Sequence, residues 1–299
     1  MKTILCIDIG GTRIKGAVLP RTLELSKLDK IPRVAIRTLG WLNESLPEIV
    51  SDRNWASLVK RLPDAGSYDE IAIAVPGPVR NGRFFRQDLS VPKELRKAFQ
   101  ERTDKRVHLY KDADAWAVGA VSLQAVQGSA VDFPALVLAF GTGVGCAVAC
   151  GPEQFLSQEL SGWSHGFPKL AIASKHPVSP AYQVHQILGK PFFEWVGRSH
   201  RRWTYDIIRK EFSQRVAALV QDLTGPLAGR VVCGQPIGSL RTLIVGGGNA
   251  EFVSQRMVAS RTGLEVKPLS GPALKFDPDL VPLVGLHRLV TDRSIRIRE

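Results

Sequence analysis

The sequence predicts two related α/β lobes facing a cleft. An apolar strand, a Gly-Gly-Thr turn and a returning strand open the chain at residues 4–9, 10–12 and 14–19. The same theme recurs at 135–140, 141–145 and 146–150. A strand–glycine turn–strand unit near the start of each half reads as two lobes rather than one sheet. The 299 residues suffice for two ordinary α/β domains. The expected limits are 1–120 for the first lobe, 121–280 for the second, and 281–299 for a C-terminal helix packing back on the first.

The elements follow from local pattern. Ile4-Leu5-Cys6-Ile7-Asp8-Ile9 is an apolar strand broken only by Asp8, and the run from Ile14 to Leu19 returns as a hairpin partner. Residues 34–37 add a third strand. Residues 43–62 have helical spacing and stop near Pro63. Residues 71–75 form a buried strand ended by Pro76-Gly77-Pro78. A polar amphipathic helix is expected at 92–103, a strand at 107–110, and an Ala-rich helix with acids at its start at 112–124. In the second half, 181–223 holds two or three helices, 241–245 is a strand running into three glycines with a helix after it, and 282–289 is a last helix.

Composition excludes several classes. The chain is 44% hydrophobic and 23% charged, as in a globular protein. No apolar run reaches a spanning length and no signal-type stretch opens the chain, so a cytoplasmic protein without membrane contact is expected. Cys6, Cys146, Cys150 and Cys233 form no CxxC pair and read as reduced, buried small residues. The net charge of +12 favours polyanions. Its densest clusters, Arg198-Ser199-His200-Arg201-Arg202 and 293–298, accompany no nucleic-acid motif and read as solvated surface. Phe192-Phe193-Glu194-Trp195 lies on expected helix and reads as core.

Four constellations carry chemistry. In Asp8-Ile9-Gly10-Gly11-Thr12-Arg13-Ile14-Lys15-Gly16, the glycines let backbone amides approach phosphate oxygens. Thr12 adds a hydroxyl, and Asp8 can hold Mg²⁺ through water. In Phe140-Gly141-Thr142-Gly143-Val144-Gly145 a strand follows rather than a helix, so a phosphate-cradling hairpin fits better than a dinucleotide fingerprint. Val245-Gly246-Gly247-Gly248-Asn249 offers a surface for adenine and ribose, or a plain strand-to-helix turn. In Tyr110-Lys111-Asp112-Ala113-Asp114-Ala115, one Asp can cap the helix while Asp112 serves as general base for a sugar hydroxyl.

These four constellations, in this order, resemble those of the ROK family (repressor, open reading frame, kinase) of the sugar kinase, Hsp70 and actin superfamily. The segment Ile73-Ala74-Val75-Pro76-Gly77-Pro78-Val79 is similar to the family's strand-to-loop stretch before the sugar site. The resemblance runs from residue 4 to about residue 249. It implies a two-lobed actin-like (ribonuclease H-like) ATPase fold with a central cleft.

By this resemblance Asp112 is the catalytic base and Asp8 the acid near Mg²⁺. ATP would be held by Gly10, Gly11, Thr12 and Lys15, by Gly141, Thr142 and Gly143, and by Gly246, Gly247 and Gly248. The family's Asn-Asp-Ala-Asn is here Lys111-Asp112-Ala113-Asp114. The Asp-Ala-Asp form is similar to polyphosphate glucokinases, which brings polyphosphate in as a possible donor. Asp88-Leu89 stands where relatives have Asn-Leu, and Glu159-Leu160 with His165 stands for their Gly-Glu-Leu-Gly-His. Asp88, Lys111, Glu159 and His165 are thus the expected sugar contacts. The cysteine-rich zinc motif of many relatives is absent, so no structural zinc is expected. The implied activity is phosphorylation of a hexose, glucose by default, with sugar and nucleotide as partners, in a homodimer. A non-catalytic sugar- or nucleotide-binding protein is the alternative. The chain opens directly on the strand before Asp8, so DNA binding through an N-terminal domain is not expected.

Overall fold

The computed structural model describes residues 2–10, 13–25, 28, 37–41, 62–76, 79–80, 83–84, 95–141, 143–156, 188–227, 231–232, 235–236, 240–270 and 274–298. In chain order the elements are β1 (Thr3–Ile9), β2 (Arg13–Pro20), β3 (Arg37–Trp41), β4 (Glu70–Val75), β5 (Val79–Arg80), β6 (Arg83–Phe84), α1 (Leu95–Thr103), β7 (Arg106–Lys111) and α2 (Asp112–Val126). Then come β8 (Ala135–Phe140), β9 (Val144–Gly151), β10 (Gln154–Leu156), α3 (Lys190–Ser199), α4 (Tyr205–Leu227), β11 (Val231–Val232) and β12 (Gln235–Pro236). The chain closes with β13 (Thr242–Gly246), α5 (Gln255–Thr262), β14 (Glu265–Leu269), α6 (Leu280–Thr291) and β15 (Arg296–Arg298). Two compact units emerge, Met1–Val126 with Lys275–Ile295, and Gln127–Leu274 with Arg296–Glu299.

The first unit is built on a five-stranded sheet of order β3-β2-β1-β4-β7. The β1–β2 hairpin is antiparallel, while β1, β4 and β7 run parallel, so the chain crosses over between them. Alternation in β1 sorts its side chains to two faces. Leu5, Ile7 and Ile9 join Ile71, Ile73, Val75, Phe99 and Leu109 in one core. Ile4 and Cys6 join Ala72, Ala74, Ala115, Leu283 and Leu286 in the other. Cys6 is buried as expected, and burial pushes its thiol well above the ordinary value, whereas Cys146 and Cys150 are only partly buried.

The second face is covered by α2 and α6. Helix α2 is buried almost all round, with Ala113, Ala115, Ala117, Val118, Gly119, Ala120 and Val121 inside. Its small residues bring α6 against it backbone to backbone. A Cβ added at Gly119 would stand 1.8 Å from the Val281 carbonyl oxygen, and one at Gly285 would stand 1.7 Å from that of Ala115. Polar pins complete the packing. The His287 Nε2–H donates to the Pro20 carbonyl at 2.8 Å, and burial holds its imidazole below the usual range. Glu70 accepts from Arg21 and from His108. Burial raises its carboxyl, but the hydrogen bonds and charges of His108 and Arg21 together outweigh the burial and hold it below the ordinary value.

The second unit carries a six-stranded sheet of order β14-β13-β8-β9-β10-β15. Strands β8, β13 and β14 are parallel, and β8–β9 is the expected glycine hairpin. Helices α3 and α4 cover the core made by Leu136, Leu138, Phe140, Phe192, Phe212 and Val245. Phe140 and Phe212 meet edge to face at 5.4 Å. Phe192 is buried as expected, whereas Trp195 is 40% exposed and stands edge-on to Trp203 at 5.7 Å.

Several expectations are adjusted. The third strand is Arg37–Trp41, with 34–36 outside the described residues. Helix α1 is described from Leu95 and α2 continues to Val126. A 3-10 turn, Ala250–Phe252, intervenes between the glycine run and α5. The expected helix at 43–62 lies outside the described residues except for residue 62. The basic tail is solvated surface as expected, with Arg293, Arg296 and Arg298 exposed, although part of it forms β15 and pairs parallel with β10. No described helix is long and apolar enough to cross a membrane.

Candidate active site

Parallel pairing brings Asp8 and Asp112 of the first unit to one edge of its sheet. Asp8 lies opposite Ala74, Ala74 opposite Tyr110, and Val75 opposite Lys111. The carboxyl ends of β1, β4 and β7 therefore share an edge, and this edge carries Gly10, Pro76 and Asp112. Strands β1 and β7 lie two strand spacings apart, about 10 Å. In α/β sheets this is the edge at which ligands bind.

Asp8 is partly buried on the face shared with Ile4 and Cys6. Its cross-strand partner in β2 is Lys15, so the two side chains share that face. Lys15 is not left pointing into solvent. Its Nζ donates to Asp279 Oδ1 at 2.5 Å, with the two side chains 17% and 23% exposed. Asp279 stands just before α6, and its own N–H donates to Asp277 Oδ1 at 2.9 Å.

Asp112 opens α2, and its Oδ1 accepts the Ala113 N–H at 2.7 Å. A carboxylate suits a helix start, where unpaired amides and the helix dipole favour negative charge. Asp114 is buried, whereas Asp112 is only partly so. The two acids of Asp-Ala-Asp thus have different surroundings, and Asp112 is the more accessible. Lys111 is buried in register with Val75, on the face of the sheet opposite to that of Asp8.

In the second unit, two glycine motifs far apart in sequence become neighbours. Gly246 lies opposite Ala139 in the β13–β8 pair, so both turns leave one carboxyl edge. The Gly141 N–H donates to the Gly143 carbonyl at 2.9 Å and closes the first turn. Asn249 ties the second turn to it. Its N–H donates to the Phe140 carbonyl at 3.1 Å and its Nδ2 to the Gly141 carbonyl at 3.0 Å.

The glycines of the second motif have different duties. Gly247 has φ +85°, and a Cβ there would stand 2.4 Å from the Phe140 carbonyl oxygen. Gly248 and Gly141 have nothing within 4 Å of such a Cβ. Gly247 therefore seats the turn against β8, while Gly141 and Gly248 leave open space that a ligand can use. Gly247→Ala should cost about 2–3 kcal/mol through strain and overlap. Gly248→Ala should leave the melting temperature nearly unchanged. Thermal melts check both.

The structure places Asp8, Gly10, Lys15, Lys111 and Asp112 in the first unit, and Gly141, Gly143, Gly246, Gly247 and Gly248 in the second. Gly11, Thr12, Asp88, Thr142, Glu159 and His165 lie outside the described residues. Asp279 was not among the expected site residues, and Asn249 closed the third expected motif without a role of its own. Each is identified only by its long-range partner, Lys15 for one and Gly141 for the other. Among the described residues, no group of three or more His, Cys, Asp or Glu is placed to hold a metal ion. Mg²⁺ does not need one, since it keeps waters and takes one or two carboxylates plus substrate phosphates. Asp8, partly exposed at the strand end beside the first glycine turn, fits that role.

Two α/β units, each with a glycine turn at the end of its central strands, define an actin-like ATPase fold. Within it, the chain belongs to the ROK family, whose model matches residues 4–159. No curated protein matches the chain in sequence. Solved structures do match it along nearly its whole length. The inorganic polyphosphate/ATP-glucomannokinase from Arthrobacter sp. strain KM is similar at 17% identity and a TM-score of 0.57, over 97% of this chain and 98% of that one. A ROK family glucokinase from Streptomyces griseus, in complex with glucose and AMPPNP, is similar at 17% identity and a TM-score of 0.54, over 96% and 98%. A ROK family transcriptional regulator, a homologue of the Escherichia coli MLC protein, is similar at 12% identity and a TM-score of 0.58, over 98% of this chain and 79% of that one. At these identities the likeness establishes the fold.

Proposed function

We propose that the chain is a hexose kinase that transfers the terminal phosphoryl group of ATP to a sugar hydroxyl, glucose being the first acceptor to test. The observation that carries this reading is the parallel register of β1, β4 and β7, which brings Asp8 and Asp112 to one sheet edge beside the first glycine turn. Phosphoryl transfer needs little covalent chemistry from the protein. It needs a base for the attacking hydroxyl, donors for the phosphate oxygens and charge neutralisation, and these residue types are present.

Asp112 takes the proton from the attacking sugar hydroxyl. Gly10, Gly11 and Thr12, with Lys15, supply donors to the phosphates from the first turn, and Gly141, Thr142 and Gly143 supply them from the second. Gly246, Gly247 and Gly248 border the adenosine. Asp8 would hold Mg²⁺, which neutralises charge on the phosphates when bound. Asp88, Lys111, Glu159 and His165 are proposed as the sugar contacts. A cytoplasmic homodimer completes the proposal.

Polyphosphate is the second donor to consider. The net charge of +12 and the Asp112-Ala113-Asp114 sequence favour it, and the Arthrobacter relative is named for both donors. The test is a phosphorylation assay with glucose and mannose, each with Mg²⁺–ATP or polyphosphate. Sugar phosphate formed from ATP is the expected result. Ligand-induced thermal shifts without product from either donor would overturn the kinase reading in favour of a sugar- or nucleotide-sensing protein.

A further inference from the structure

We infer that Asp279 is a positioning residue that sets the affinity of Lys15 for phosphate donors by holding its ammonium group. The inference rests on the kinase reading, and it concerns a residue 264 positions from its partner. Lys15 leaves the first glycine turn on β2, directly across from Asp8. Its ammonium group has three donors and a flexible stem, so its position is set by what it meets. In this structure it meets Asp279 Oδ1 at 2.5 Å, at a site where both side chains are mostly buried.

Asp279 is itself fixed. Its amide is bonded to Asp277 Oδ1, and α6 follows at once. That helix is locked on α2 by the contact of Gly119 and Gly285 with the facing backbone. The carboxylate is therefore a rigid counter-charge, and Lys15 is the mobile member of the pair. One consequence follows for a polyanion arriving at Lys15. One of the three Lys15 donors is already committed, and the ammonium charge is already partly neutralised by its partner. A donor must compete with Asp279 for the lysine, which lowers donor affinity. The pair thus moderates donor binding and speeds release of the spent donor.

The test is titration calorimetry with two probes, Mg²⁺–ATP and inorganic tripolyphosphate, on the full chain. Asp279→Asn keeps the side-chain shape and removes the charge. Asp279→Ser removes the charge and shortens the side chain, and no capping bond is lost because Asp279 makes none from its side chain. Both variants should bind each probe about three- to tenfold more tightly than wild type at low salt. The gain should be smaller at about 1 M salt without vanishing, since partly buried charges are screened less than exposed ones. In a Lys15→Met background the same substitutions should change affinity by less than about twofold, since the effect is routed through the lysine. In the sugar kinase assay the donor KM should fall while kcat does not rise.

A purely structural salt bridge would lower the melting temperature and leave donor affinity unchanged or weaker. That result in both variants overturns the inference and leaves the kinase reading intact. A gain that persists in the Lys15→Met background also overturns it, because Asp279 would then act on the donor directly. A wild-type chain that binds neither probe overturns the kinase reading and this inference together.

Discussion

Asp112→Asn should lower kcat about 10²- to 10⁴-fold while the protein remains folded, the range that removal of a positioned general base produces. The substitution is nearly isosteric. The Asn carbonyl oxygen can still accept the Ala113 N–H that Asp112 Oδ1 now takes at 2.7 Å, so the start of α2 keeps its local hydrogen bond. Loss of a negative charge at a helix N-terminus costs about 0.3–1 kcal/mol, a shift of a few degrees at most in a melt. Sugar and nucleotide binding, measured by calorimetry, should persist within a few-fold. What disappears is the acceptor for the hydroxyl proton. Asp114, two residues on, does not replace it, because its carboxyl is buried in the helix packing. If Asp112→Asn retained more than about a tenth of wild-type turnover, the base assignment would be wrong, and Asp8 would be the next carboxylate to test.

How far the sequence foretold this arrangement depends on how local each signal is. The hairpin around Gly10, strands β4 and β8, and the passage from β7 into α2 were legible because each is announced by its own residues. Apolar runs of strand length end at glycine, proline or aspartate, and an Ala-rich stretch follows acids that favour a helix start. Strands β10, β14 and β15 were not legible. Gln154-Phe155-Leu156 and Arg296-Ile297-Arg298 are three-residue pieces with no periodicity, and they become strands only because they pair with each other and the first of them with β9. Glu265-Val266-Lys267-Pro268-Leu269 contains a proline and two charges, a pattern that argues against a central strand. It is an edge strand beside β13, where those residues are tolerated. The same logic governs the site. Asp8 and Asp112 stood out by type and place in the pattern. Asp279 and Asn249 look like ordinary turn residues until Lys15 and Gly141 are brought to them.

Gly285→Ala should be among the most destabilising single-methyl additions to this chain, and its sign runs against helix propensity. In an exposed helix interior, replacing Gly by Ala stabilises by about 0.8–1 kcal/mol. Gly197 in α3 is such a place, exposed and with nothing within 4 Å of an added Cβ, so Gly197→Ala should raise the unfolding midpoint of its unit. At Gly285 the added carbon would sit 1.7 Å from the Ala115 carbonyl oxygen and 2.9 Å from the Gly119 nitrogen. Both neighbours are backbone and cannot rotate away, so α6 and α2 must separate. Separation opens the core formed by Ala115, Leu283 and Leu286 against Ile4, Cys6 and Ala74. A cost of about 3 kcal/mol or more follows from overpacking plus lost contact. Because α2 begins at Asp112 and α6 begins just after Asp279, the same displacement would misplace the proposed base and the partner of Lys15. Residual folded protein should therefore lose turnover as well as stability. Gly119→Ala meets the Val281 carbonyl at 1.8 Å and should cost a similar amount. The double variant should cost clearly less than the sum, since helices already forced apart by one methyl have room for the second. Urea midpoints of the four proteins decide it, and an additive pair of small effects would mean that the two backbones do not touch.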